Sequence, residues 1–267
     1  MELLQQAAET LARVRAKNPL VHHLTNYVTA NDCANMTLAV GASPVMASDP
    51  AEVEDMVAAA AALVLNLGTL DARRVGAMLA AGKKAVCLGI PVILDPVGAG
   101  ATPFRTAAAG QIIREVSLAV IRGNLAEIRH LAGLKGDIKG VDSSADDQDG
   151  RIVAQSLARR LGCVVAITGK TDIVACDGDV CRIDNGHPLL RQVTGTGCMA
   201  SSLVGCCSAV ADPFVGAVTG IMLMGIAGEL AQQSLRPPDG IGTFRMRLFD
   251  AVGNMTAEQL RRCGKIS

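Results

Sequence analysis

Four short apolar runs in this chain each stop on a polar residue: Ala62-Leu63-Val64-Leu65 at Asn66, Val92-Ile93-Leu94 at Asp95, Leu118 to Ile121 at Arg122, and Val164 to Ile167 at Thr168. Continuous runs of this length predict strands buried on both faces. Helical patterns fill the intervals: about Asp71 to Ala81, a segment ahead of Leu118, one containing Glu127, and one near Ile152 to Leu161. Strands alternating with helices predict an α/β fold, with a mostly parallel central sheet flanked by helices on both faces. Half the residues are hydrophobic, yet only 2% are aromatic and Trp is absent. The core must therefore be built from small aliphatic side chains, which suit helices lying close against a sheet. A length of 267 residues accommodates one large α/β domain or two small ones. In open α/β sheets ligands bind outside the carboxyl ends of the strands. Chemistry is therefore expected in the loops at Asn66, Asp95, Arg122 and Thr168.

The other segments fit the same scheme. Leu3, Leu4, Ala7, Leu11 and Val14 recur at helical spacing. Leu20 to Leu24 reads as a strand entering the loop Thr25-Asn26-Tyr27-Val28. Its adjacent His22 and His23 must point to opposite sides, one predicted toward the interior or an interface and the other outward. A helix through Cys33 to Ala39 and a brief strand near Pro44-Val45-Met46 follow. Asp49-Pro50-Ala51-Glu52 reads as a helix start, with Asp49 as cap, Pro50 at the first position and Glu52 as a capping-box acid. Ile173 to Cys176 and Val180 to Ile183 flank Asp177-Gly178-Asp179 as a hairpin. Asp142 to Asp147 reads as a solvated acidic loop, not a metal site.

Several function classes are disfavoured. Formal net charge is zero, and no basic run or aromatic platform suggests nucleic-acid binding. Nine cysteines without a Cys-x-x-Cys pair read as reduced thiols of a cytoplasmic protein, neither a disulfide framework nor a zinc ribbon. Met1 to Gln6 lacks the basic start and apolar block of a signal peptide. Two uncharged segments, Gln192 to Ala211 and Pro213 to Gly228, are expected to be buried core helices, with no membrane span.

Gly195-Thr196-Gly197-Cys198 lies at the entrance to the late apolar segment. Two glycines there expose backbone N–H groups, and a helix start adds partial positive charge. Together they suit a phosphate group. The spacing also matches a dinucleotide fingerprint, but the position is far from the first βα unit and lacks the acid expected about twenty residues on. Gly169-Lys170-Thr171 resembles the end of a P-loop, but Val164 occupies the place of its first glycine. Arg122-Gly123-Asn124-Leu125-Ala126-Glu127 joins a cation, an amide at a helix start and a carboxylate one turn on. With Asp95 after another strand, Glu127 could anchor a hydrated Mg²⁺.

Taken together, Thr194-Gly195-Thr196-Gly197, Asn124-x-x-Glu127 and Asp95-Pro96-Val97 resemble the ribokinase-like superfamily. Asn18-Pro19-Leu20-Val21-His22-His23-Leu24-Thr25-Asn26, Gly41-Ala42-Ser43-Pro44-Val45-Met46 and Asn66-Leu67-Gly68-Thr69-Leu70 are similar to the hydroxyethylthiazole kinase family of thiamin salvage. The resemblance runs from about Asn18 to Ala211. It implies one ribokinase-like three-layer domain over 1–267 and transfer of the ATP γ-phosphoryl group to the primary alcohol of 4-methyl-5-(2-hydroxyethyl)thiazole. It also implies a homotrimer with substrate pockets at subunit interfaces. By matched position, Asn26, Met46, Gly68 and Gly195 would border the thiazole. Arg122, Thr168, Asn124 and Gly197 would serve ATP, and Asp95 and Glu127 would organise Mg²⁺. Many relatives in the wider superfamily carry an Asp general base where this chain has Cys198, which is expected to act as hydrogen-bond partner or weak base. A Cys-dependent hydrolase would instead need a histidine beside Cys198. A repair dehydratase on the same scaffold would not require the Pro44-Val45-Met46 and Asn66-Leu67-Gly68 stretches, and a thiazole-binding trimer without turnover would give no ADP.

Overall fold

The computed structural model describes residues 2–133 and 143–267. The chain opens with α1 (Glu2–Lys17), whose Ala7, Leu11 and Val14 face the core at the predicted helical spacing. Then come β1 (Leu20–Leu24), α2 (Ala30–Val40), β2 (Ser43–Val45), α3 (Val53–Ala58), β3 (Ala62–Asn66), α4 (Ala72–Cys87) and β4 (Val92–Asp95). The middle of the chain forms α5 (Pro103–Glu115), β5 (Val120–Asn124), α6 (Leu125–Ala132), α7 (Ser143–Leu161) and β6 (Val164–Thr168). The hairpin β7 (Asp172–Ala175) and β8 (Val180–Ile183) follows, then a 3-10 helix at Pro188–Gln192. Last come α8 (Thr196–Ser208), α9 (Pro213–Gln233), α10 (Ile241–Asn254) and α11 (Ala257–Cys263).

The strands form one sheet in the order β2-β1-β3-β4-β5-β6-β7-β8, parallel through β6 and antiparallel across the final hairpin. Alternate strand residues feed two cores. Val21, Val64, Ile93 and Val120 pack under α1, α2 and α8 to α11. Leu63, Leu65, Leu94 and Ile121 pack under α3 to α7. This is the three-layer α/β architecture that the alternating pattern predicts. Between β1 and β3 the chain direction across the sheet reverses, because β1 leads first to β2 on one side and then to β3 on the other. Such a switch point opens a crevice at the carboxyl ends of the strands. Register then sets neighbours along that edge: Asn66 lies beside Asp95, and Asn124 beside Thr168.

α8 crosses the sheet closely enough that a Cβ on Gly205 would come within 2.5 Å of Val64 Cγ2. α9 is the one helix among the described residues long and apolar enough to cross a membrane, but 78% of its most apolar window is buried inside the protein. It runs to Gln233, beyond the Gly228 limit of the uncharged segment, and is a core helix.

The structure corrects several sequence expectations. His22 and His23 are both buried, because β1 is covered on both faces and divergent side chains meet protein either way. The His22 Nε2 lies 2.7 Å from the Ala47 carbonyl, and the His23 Nδ1 lies 3.1 Å from that of Val21. Asp49 to Glu52 form a turn ahead of α3: the Asp49 side chain accepts the Ala51 N–H at 2.9 Å and its carbonyl the Val53 N–H at 3.1 Å, as expected of a cap, but the regular helix begins only at Val53. Arg122-Gly123-Asn124 is strand rather than loop, since it pairs with Ala166, Ile167 and Thr168. Of the acidic stretch, Asp142 lies outside the described residues, while 143–147 form the start of α7 and not a loop.

Candidate active site

At the helix entrance, Gly195 takes φ +88° and precedes α8. Only glycine adopts this left-handed conformation routinely. A Cβ there would also meet the buried Thr29, with Cγ2 at 2.5 Å. The first bond inside α8 runs from the Met199 N–H to the Gly195 carbonyl at 2.8 Å. The amides of Thr196, Gly197 and Cys198 therefore lack intrahelical acceptors, and they carry the positive end of the helix dipole.

One side of this entrance is a buried amide network at the switch point. Asn26 Nδ2 donates to Asn66 Oδ1 at 2.9 Å, and Asn66 Nδ2 donates to Asp95 Oδ2 at 2.9 Å. Both amides also donate to Cys198 Sγ, at 3.4 and 3.2 Å. Asn66 Oδ1 accepts the Gly68 N–H at 2.9 Å, so one side chain ties together Asn26, Gly68, Asp95 and Cys198. Gly68 presses so closely on Asn26 that a Cβ would come within 2.5 Å.

Asp95 is almost fully buried, and its Oδ2 also accepts from Ser201 Oγ at 2.8 Å. Burial pushes its carboxyl up to about 6; Arg122, Ser201 and Asn66 oppose the rise, and Glu127 adds to it. Burial, followed by the charge of Asp95, pushes the Cys198 thiol up as well, against hydrogen bonds from Thr29, Asn66 and Asn26. Cys198 is thus a neutral thiol near pH 7. No histidine is a hydrogen-bond partner of Cys198 among the described residues, which removes the base that a Cys-dependent hydrolase requires.

The other side opens into a cavity of about 700 Å³ lined by Arg122, Asn124, Thr168, Thr196, Gly197 and Asp172, with Leu190, Ile221 and Met224 farther along. That volume suits a small-molecule ligand. The Arg122 guanidinium bridges the two sides. It bonds Thr168 Oγ1, stands 3.7 Å from Asp95 Oδ2 and lies where a Cβ on Gly197 would meet its Nη1 at 2.9 Å. Its Nε is buried without a partner, a donor that a ligand could satisfy. Asn124 and Glu127 form a capping box on α6: each side chain accepts the other's backbone N–H at 2.9 Å. The second Glu127 oxygen accepts the Gly98 N–H at 2.8 Å.

The fold thus gathers Asn26, Gly68, Gly195, Cys198 and Asp95 on one side, and Arg122, Asn124, Thr168 and Gly197 on the other, with Glu127 below. Met46 stands apart, half-buried just beyond the edge strand β2 and separated from Gly68 by β1. Sequence reasoning missed three residues. Asn66 was legible only as a strand end, although its place beside Asp95 follows from the register. Ser201 lies one turn after Cys198 on α8, and that spacing was a usable signal. Asp172 gave no signal beyond opening a hairpin. It caps the Gly169 N–H at 2.8 Å, and burial pushes it up to about 7, Gly169 and Arg122 opposing.

The Hydroxyethylthiazole kinase family model matches residues 11–258. A hydroxyethylthiazole kinase of Alkaliphilus oremlandii is 51% identical over 100% of this chain and 99% of its own length. The structure of a hydroxyethylthiazole kinase protein from Pyrococcus horikoshii superposes with a TM-score of 0.90 at 37% identity, covering 100% of this chain and 99% of that one. A ribokinase-like superfamily protein from Enterococcus faecalis shares the fold alone, with a TM-score of 0.58 at 13% identity over 94% of this chain and 82% of that one. With an almost full-length model match and relatives of this similarity, the chain belongs to the hydroxyethylthiazole kinase family.

Proposed function

We propose that this enzyme transfers the γ-phosphoryl group of ATP to the primary alcohol of 4-methyl-5-(2-hydroxyethyl)thiazole, in thiamin salvage. The observation that carries the reading is the position of the α8 entrance. Its free amides stand between the buried amide network at Asn26, Asn66 and Gly68 and the cavity at Arg122 and Thr168. Two substrates entering from opposite sides would meet at an anion-stabilising helix end, and holding them there is the main catalytic service.

In this reading Asn26, Met46, Gly68 and Gly195 border the thiazole, while Arg122, Asn124, Thr168 and Gly197 hold ATP. The hydroxyl oxygen attacks the γ-phosphorus in line, and the bond to the β,γ-bridging oxygen breaks. The Thr196, Gly197 and Cys198 amides face the oxygens of the transferring group, and the unpartnered Arg122 Nε faces the phosphates. A loose transition state asks little of a base. Cys198 then serves chiefly as the acceptor that holds the Asn26 and Asn66 amides, and is at most a weak base.

The residues present fit a hydrated Mg²⁺. Asp95 and Glu127 each use part of their acceptor capacity within the protein and keep lone pairs for bound water. No cluster of three or more metal-binding side chains exists among the described residues, which suits an ion held mainly by water and nucleotide phosphates. Such an ion would offset phosphate charge. Met46, at the margin of β2, and the exposed Tyr27, Val28 and Leu38 nearby in sequence support a homotrimer in which a neighbouring subunit completes the thiazole pocket. A cytoplasmic location accords with nine free thiols.

An ADP-release assay with Mg²⁺-ATP tests the reading, run with the thiazole alcohol and with related pyrimidine and pyridoxine alcohols. Release that depends on the thiazole supports it. Release indifferent to the thiazole, or absent, defeats the substrate assignment.

A further inference from the structure

Arg105 lies in the first turn of α5, where Thr102 caps the helix by accepting its backbone N–H. Its side chain leaves the helix and enters the space between two strand-end loops. Nη1 donates to the carbonyls of Leu67 and Val97, the latter at 2.8 Å, and Nη2 donates to the carbonyl of Gly68. No carboxylate pairs with Arg105 among the described residues; three backbone carbonyls take up its donors instead. The loop after β3 carries Gly68, which is also bound to Asn66. The loop after β4 carries Gly98, whose N–H binds Glu127 and whose Cβ, if present, would meet Arg105 Cδ at 3.0 Å. One guanidinium therefore joins the thiazole-side loop to the loop that braces the metal-side carboxylate.

We propose that Arg105 is a positioning residue for phosphoryl transfer, setting the distance between the acceptor alcohol at Gly68 and the phosphate and metal groups at Glu127 and Asp95. The inference rests on the kinase reading above. A planar fork with several fixed donors can serve three carbonyls at once, whereas a lysine ammonium on a flexible stem cannot hold the same geometry. Arg105 touches neither substrate in this account. Its loss relaxes the spacing of the two loops while the Arg122 and Thr168 cavity stays formed.

The test compares wild type with Arg105→Ala and Arg105→Lys. It measures kcat, KM for each substrate, affinity for a non-hydrolysable ATP analogue, and Tm. Misplacement on the ångström scale far from the chemistry costs up to about a hundredfold in rate. Both variants should lose turnover on that scale and raise KM for the thiazole, with analogue affinity held within about twofold. Millimolar guanidinium should restore part of the turnover of Arg105→Ala and none of that of Arg105→Lys, whose stem fills the space. Wild-type turnover in a folded variant overturns the proposal. So does a uniform loss of both affinities that tracks a fall in Tm, since that marks a purely structural residue. If Arg105→Ala does not fold, Arg105→Lys decides on the same readouts. Absence of thiazole-dependent turnover in the wild type defeats the kinase reading, and this inference with it. An active wild type beside unimpaired variants defeats the inference alone.

Discussion

Replacing Gly197 by alanine should separate nucleotide binding from stability. The new Cβ would stand 2.9 Å from Arg122 Nη1 and 3.3 Å from Nη2, so the guanidinium must retreat by about half an ångström to reach ordinary contact. Gly197 has helical backbone geometry, and the atom it displaces is the far end of a long side chain. Folding should therefore suffer little, and an alanine for glycine within a helix gains up to about 1 kcal/mol. Arg122, however, would lose its alignment with Thr168 and Asp95. A hydrogen bond to a charged group contributes about 1.5–3 kcal/mol. Loss of roughly half of one such bond corresponds to a rise in KM for ATP of about three- to twelvefold. Steady-state ADP release at saturating thiazole, with thermal melts on the same samples, measures both effects. Gly195→Ala is the contrast: φ +88° and a 2.5 Å approach to Thr29 should cost at least about 1–2 kcal/mol of stability. An unchanged KM for ATP in Gly197→Ala, or a fall in its Tm matching that of Gly195→Ala, refutes the reasoning.

Three further outcomes follow from the buried network. Asn66→Ala strips partners from Asn26, Gly68, Asp95 and Cys198 at once, and should lower the urea-unfolding free energy by about 1–3 kcal/mol or more while reducing kcat. Asp95 binds its proton more tightly in the folded protein than in the unfolded chain. Its contribution to stability is therefore greatest in acid, and is lost as pH rises from about 3.9 through the folded value of about 6. Activity should show the opposite limb, falling below about pH 6 as the carboxylate is protonated, and a pH–rate profile of Asp95→Asn should lack that limb. Cys198→Ser keeps an acceptor for both amides and should retain turnover within about tenfold; a collapse with folding and ATP binding intact would make the thiol itself essential.

Much of the sheet was legible because β3, β4 and β6 are buried on both faces, and a strand in that setting is a continuous apolar run. β6 was bounded correctly at both ends. The failures came where tertiary partners decide. Arg122-Gly123-Asn124 has no strand-like composition and is extended because β6 supplies its register. Two adjacent histidines were both buried because helices cover both sheet faces, which no local pattern reveals. At the site, the Gly195 turn was readable from its glycines, and Asn124 with Glu127 from the capping-box spacing. The partners of Asn66 and Arg105 were not: Asn66 marked a strand end where chemistry was expected but without a role of its own, and an arginine opening a helix reads as an ordinary surface residue. Their importance lies in partners that come from the loops after β1, β3 and β4, from β4 itself and from the distant helix α8.

The most direct test of the account follows the phosphorus itself. Phosphorus NMR of wild-type enzyme with Mg²⁺-ATP and the thiazole alcohol should show loss of the γ resonance matched one for one by ADP and a new phosphate monoester on the hydroxyethyl oxygen. ADP with inorganic phosphate and no ester would contradict transfer at the α8 entrance, and so would a spectrum in which ATP persists unchanged.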